Sequence, residues 1–170
     1  MRSPNRASLL TQAGSNYPYL DYLREQLELT KVKVHKWLPW DDETVYEAFI
    51  EKRRVILPIP TCQWSFMVGL HEIGHVSTGE RQYTYLQEYN AEKWAIARAK
   101  QHYGIVYPEY EKDARRQVWL HIVQNHLYYD LSLEKIKPYV LDWIGATVDQ
   151  VALDAKVYHD LQGVNSLILK

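Results

Sequence analysis

The sequence predicts an α+β protein, with a small twisted sheet near its start and a helical C-terminal half. Three observations carry that prediction. Lys31-Val32-Lys33-Val34-His35-Lys36-Trp37 alternates with period two, and Arg54-Val55-Ile56-Leu57-Pro58-Ile59 is β-branched and apolar. From about residue 62 onward, apolar residues recur at helical spacing between caps and stops.

Residues 1–16 are polar and read as a mobile arm, which leaves 17–170 as a single domain. Leu20, Leu23 and Leu27 place a helix at about 18–29. Lys31–Trp37 is a half-buried strand whose Lys and His face meets solvent. Pro39-Trp40-Asp41-Asp42 is a turn. Thr44–Ile50 admits either a strand or a short helix. With Glu51-Lys52-Arg53 as the connection, the simplest layout is a hairpin into Arg54–Ile59. Pro58 and Pro60 predict an edge position for that strand, because proline donates nothing to a ladder. An edge strand packed on the next helix could pair with an extended peptide. That helix is expected at about 62–78, with Thr61 as N-cap and Gly79 as stop.

A polar loop, 79–83, leads to the capping box Thr84-x-x-Gln87 and a second long helix to about His102, with Gly104 as its stop. Pro108-Glu109 opens a third, to about His126. Its buried side is Ala114, Val118, Trp119, Ile122 and Val123. Ser132–Trp143 is helical in pattern, and Pro138 either kinks or restarts it. Thr147-x-x-Gln150 is a further capping box, opening a last helix that ends near Gly163.

Composition excludes several classes. With 46% hydrophobic and 24% charged residues over 170, the chain is of ordinary globular type. A formal net charge of −1 makes no electrostatic case for nucleic acid or a membrane surface. The single cysteine, Cys62, rules out an internal disulfide framework. No run approaches about 18 consecutive apolar residues, and none follows the basic N-terminal residues. A cytoplasmic protein is therefore expected. Six Trp and 14 Tyr suit core and groove lining, and a peptide-binding cleft would use the same residues.

The chemistry concentrates in Val68-Gly69-Leu70-His71-Glu72-Ile73-Gly74-His75-Val76. On a helix, His71 and His75 share one face a turn apart and can bind one Zn²⁺. Glu72 points about 100° round from His71, off the metal face, where a general base belongs. Phe66, Leu70 and Ile73 mark the core side. Gly74 reads as a place of close approach, since glycine inside a helix costs about 1 kcal/mol relative to alanine. Cys62 lies at the other end of the helix and is discounted as a ligand. His121 and His126 are five apart, do not stack on one helix face, and read as core or surface histidines rather than a second metal site.

A catalytic zinc site needs a third protein ligand and an open position. The candidates are Glu80, Glu88, Glu92 or another histidine. A third histidine at metzincin spacing is absent, and Glu80 follows too soon after His75. Glu88 and Glu92, four apart, share a face of the next helix. One can bind the metal while the other holds a ring N–H of a ligand histidine.

The run from Arg54-Val55-Ile56-Leu57 through Ser65–His75 resembles the small zincins of the ImmA/IrrE type, in which a strand leads into a helix reading roughly Phe-x-x-x-His-Glu-x-Gly-His. Glu88-Tyr89-Asn90-Ala91-Glu92-Lys93-Trp94-Ala95 is similar to that family's Glu-x-x-Ala-Asn-x-Phe-Ala. The resemblance covers about residues 52–100 and implies a zincin-like fold. It also implies that His71, His75 and Glu88 are zinc ligands and Glu72 the base. Glu92 and Trp94 depart from the pattern, the family's Leu-Met-Pro ending is missing, and the twelve residues Val76–Gln87 make a short connection. Glu-x-x-x-Glu also resembles the Glu-x-x-x-Asp of thermolysin-like gluzincins, where the second acid supports a histidine. The implied setting is cleavage or control of cytoplasmic regulators, often of phage or mobile elements.

The expected activity is zinc-dependent hydrolysis of a peptide bond in a protein or peptide substrate, with Glu72 relaying the proton. Tyr83, Tyr85, Arg81, His126 and His159 are candidate oxyanion donors, and none is assigned. The rival expectation is a non-catalytic zincin scaffold that binds a protein or nucleic-acid partner. A second rival is a zinc hydrolase acting on a non-peptide amide. An intact Glu72 speaks for catalysis, because a purely structural metal site does not need it.

Overall fold

The computed structural model describes residues 18–41, 44–79, 84–104, 106–129 and 131–168, with side chains from Tyr19 to Tyr158. The arm expected at 1–16 and the loop residues 80–83 lie outside them. Six α-helices and one three-stranded mixed sheet make the described chain α+β and mostly helical. It divides into two compact units, Met1–Ser77 and Thr78–Lys170. No described helix is long and apolar enough to cross a membrane.

The first unit begins with α1, Pro18–Thr30. Leu20, Leu23 and Leu27 are buried, as their spacing predicts. The helix ends at Lys31, which takes the left-handed conformation at φ 55°. Lys31 N–H donates to Glu28 O and Val32 N–H to Leu27 O, the double bond pattern of a Schellman cap. Lysine fills a position that usually selects glycine, so the sequence did not announce this stop.

Strands β1 (Lys33–Leu38), β2 (Glu47–Phe49) and β3 (Arg54–Pro58) form the sheet in the order β1-β3-β2. The hairpin forms as expected: β2 runs antiparallel to β3 through a 3₁₀ turn, Ile50–Lys52, closed by Arg53 at φ 47°. The edge position predicted for Arg54–Ile59 is overturned, because β3 is the central strand and pairs parallel with β1 on its other side. Ile59 N–H donates to Leu38 O at 2.7 Å, so that amide faces β1. Successive amides of a strand point opposite ways, so the Pro58 nitrogen faces the β2 side. There β2 has already ended, since its first residue, Glu47, sits opposite Ile56. Proline thus occupies a central strand at the one end where no donor is required.

Helix α2, Gln63–Thr78, follows. Its N-cap is Cys62 rather than the expected Thr61. Cys62 O accepts the first helical bond from Phe66, Cys62 N–H donates to Ser65 Oγ at 3.0 Å, and Ser65 N–H reaches Cys62 Sγ at 3.5 Å. This is a reciprocal capping box built from Cys and Ser. Phe66 is fully buried, stacked on Tyr19 at 5.0 Å and against Tyr22 at 6.0 Å. A Cβ on Gly69 would sit 2.9 Å from Leu23 Cδ1, so glycine here lets α1 and α2 come together.

The second unit holds α3 (Thr84–Tyr103), α4 (Pro108–Tyr128), a 3₁₀ turn (Leu133–Lys135), α5 (Pro138–Ile144) and α6 (Val148–Ile168). Pro138 restarts the helix rather than kinking it, with Lys137 extended before it. Gln150 N–H donates to Thr147 Oγ1, the expected cap of α6. That helix runs through the expected stop at Gly163 to Ile168. Tyr85, Val118, Ile122, Leu131, Val140 and Val151 form the core of this unit.

One buried amide ties α4 to the start of α3. Asn125, 2% exposed, accepts the Tyr85 N–H at 3.1 Å and donates to Thr84 Oγ1 at 2.6 Å. Asn125→Ala strands the Tyr85 N–H and should cost about 1–3 kcal/mol. Asn125→Asp keeps that acceptor beside a helix N-terminus and should cost less. Denaturant midpoints of the two variants check the order.

Candidate metal centre

Because α2 is regular, His71 and His75 stand one above the other. Their rings meet edge to face with centroids 4.5 Å apart, and the two Nε2 atoms lie 2.9 Å from each other. Two neutral imidazoles can meet this way only if one presents N–H and the other a lone pair. A cation placed between them would take both lone pairs instead.

Glu88 on α3 completes a group. His71, His75 and Glu88 each offer one ligand atom, and these atoms lie within 4.8 Å of one another. All three residues are half-buried, and together they could hold a metal ion. Zinc bonds of about 2.05 Å at a tetrahedral angle space ligand atoms about 3.3 Å apart. The imidazole nitrogens, 2.9 Å apart, need to open by only a few tenths of an ångström to reach that spacing. Two imidazole nitrogens and one carboxylate oxygen are a donor set that suits zinc.

Glu72 follows His71 on α2, about 100° round the helix axis, so it cannot share the histidines' face. It is 8% exposed, a carboxylate largely withdrawn from water beside the ligand pair. Glu92 is not a member of the three-residue group. It is 5% exposed and accepts a hydrogen bond from the Tyr110 hydroxyl of α4 at 2.9 Å. Tyr110 had no signal in the sequence beyond its place near the start of a helix. His121 on α4, read from sequence as a core or surface histidine, lies with Nε2 3.9 Å from Glu88 Oε1.

The other sequence candidates fall elsewhere. Cys62 is exposed at the N-cap of α2, nine residues or about 13 Å along the axis from His71. His126 donates Nδ1–H to the Leu131 carbonyl at 2.7 Å, which fastens it in the turn after α4. Tyr85 is fully buried in the core of the second unit. Glu80, Arg81 and Tyr83, and the side chain of His159, lie outside the described residues. Tyr89, next to Glu88, has its phenol pushed up by burial and then by neighbouring Tyr139. A shallow cavity lined by Lys112, Arg115, Arg116, Trp119 and Ile144 opens on the side of α4 opposite His121 and is separate from this centre.

Comparison with protein-family models, curated proteins and solved structures finds no match to this chain.

The two glutamates of α3 are expected to separate in a chelator competition. Glu88→Ala should empty the site under conditions where Glu92→Ala retains metal, with affinity weakened by about 10–100-fold at most. The opposite order would move the ligand to Glu92.

Proposed function

We propose that the chain is a zinc-dependent metallopeptidase of the His-Glu-x-x-His type, with a zincin-like fold, acting on a protein or peptide. The observation that carries this reading is the meeting of His71, His75 and Glu88 around one point, with Glu72 on the histidine helix but off the histidine face. Among the described residues the group offers three protein ligands, and three ligands with an open position are the pattern of catalytic rather than structural sites. Zinc bound there would lower the pKa of water toward about 7 and polarise a carbonyl oxygen.

The protein's own residues supply the rest. His71 and His75 would hold the metal through Nε2, and Glu88 would offset one unit of its charge. Glu72 takes a proton from the attacking water and delivers it to the leaving amine. Its burial favours that task, because a carboxylate with little water around it interacts strongly with a nearby proton donor. A cytoplasmic regulatory protein as substrate follows from the motif resemblance alone.

Protein purified without added metal is expected to carry one zinc per chain, and chelation to lower its melting temperature, because a bound ion favours the folded state. Sub-stoichiometric zinc after metal-replete dialysis would sink the proposal. Glu72→Gln should keep zinc and fold while lowering peptide-library cleavage by about 10²–10⁴-fold. Unchanged cleavage in that variant would exclude Glu72 as the base. Zinc binding with no cleavage by the wild type would point to a non-catalytic scaffold.

A further inference from the structure

We infer that His121 is a positioning residue for Glu88: its Nε2–H holds one carboxylate oxygen so that the other can meet a bound ion. The inference rests on the metal site proposed above and adds a residue that the motif does not contain.

Helices α3 and α4 run antiparallel, pinned at both ends. At one end the Asn125 side chain bonds Thr84 Oγ1 and the Tyr85 N–H. At the other, Lys100 Nζ meets Glu111 Oε1 at 2.5 Å. Four residues forward from Thr84 is Glu88, and four back from Asn125 is His121. One turn along each helix thus brings the two side chains to the same level of the seam. Between that level and the Lys100–Glu111 end lie small and apolar residues, Ala95, Ala114 and Val118, all buried. Such packing leaves little freedom for the helices to slide. The separation of 3.9 Å between His121 Nε2 and Glu88 Oε1 is therefore set by the fold.

The chemistry follows from the carboxylate. Glu88 has two oxygens and needs one for a metal. Its side chain is 19% exposed, so the second oxygen has limited access to water. Coordination fixes the last torsion of a carboxylate, and that ordering has an entropic cost. A donor on the second oxygen removes it beforehand and selects one-oxygen ligation. His121 is a donor at the right level, and a shift of under about 1 Å makes a full hydrogen bond. It is not a member of the group whose ligand atoms lie within 4.8 Å of one another, so it acts on Glu88 rather than beside it. The same helix treats Glu92 alike, through the Tyr110 hydroxyl. Helix α4 thus carries a ring donor for each acid of α3.

The test uses the full chain and zinc alone, with affinity read by chelator competition. His121→Leu removes the donor, and His121→Gln replaces it with an amide N–H near the position of Nε2. The Leu variant should bind zinc about 10–100-fold more weakly, with Gln restoring most of the loss. In a Glu88→Gln background, His121→Leu should add no further loss, because the two residues act as one. The visible bands of the Co²⁺-substituted protein should change in the Leu variant and return in the Gln variant, whereas a merely structural role would shift only the metal-free melting temperature. The inference is overturned if Leu binds as tightly as wild type, if Gln is as weak as Leu, or if the loss persists undiminished without Glu88. Wild-type protein that takes up no zinc overturns the metal site itself, an outcome that stoichiometry separates from the others.

Discussion

A carboxylate taken out of water costs several kcal/mol unless something holds it, and this chain withdraws three of them within one stretch of sequence. Glu72 and Glu92 are 8% and 5% exposed, and the side chain of Glu88 is 19% exposed. Helix α4 sets a side chain beside each of the two on α3. Tyr110 bonds Glu92, and His121 faces Glu88. Both come from α4, which in turn is registered against α3 by the buried amide of Asn125. Stability and site geometry therefore share one cause. The contacts that satisfy buried polar groups along the seam also decide where the Glu88 carboxylate can be.

Helix α2 meets a different demand. A pair of histidines can act as a metal ligand set only if their helix neither frays nor rolls. The Cys62–Ser65 box satisfies its first amides, Phe66 packs against Tyr19 and Tyr22 of α1, and Gly69 lets Leu23 lie against the helix backbone. These features are spread over its first two turns, upstream of His71. The result is a helix held over its N-terminal half that presents Nε2 of both histidines at one point. Rigid placement before binding lowers the ordering cost when an ion arrives.

Much of this was legible in the sequence because it is local. The spacing of His71 and His75, the angle to Glu72, the Thr147 cap and the start of α4 at Pro108 each depend on a few neighbouring residues and the helical repeat. Backbone periodicity decides them, and the structure follows it. The hairpin between β2 and β3 belongs to the same class, since a short connection leaves few alternatives.

Tertiary structure decided what depends on residues far apart in the chain. Proline at position 58 argues for an edge strand only if both sides of β3 must accept donors there; the early end of β2 removes that condition, and no local pattern contains it. Lys31 adopts a left-handed cap because Val32 is drawn into the core and the sheet starts at once, which outweighs the modest steric cost. Glu88 could be placed on the right face by its helix but not given a partner, because His121 lies 33 residues on and its register depends on Asn125. The sequence by itself thus determined which residues share a helix face, since helical spacing is a property of the chain. The pairing of helices determined which side chains meet across the seam, since packing registers arise only between elements.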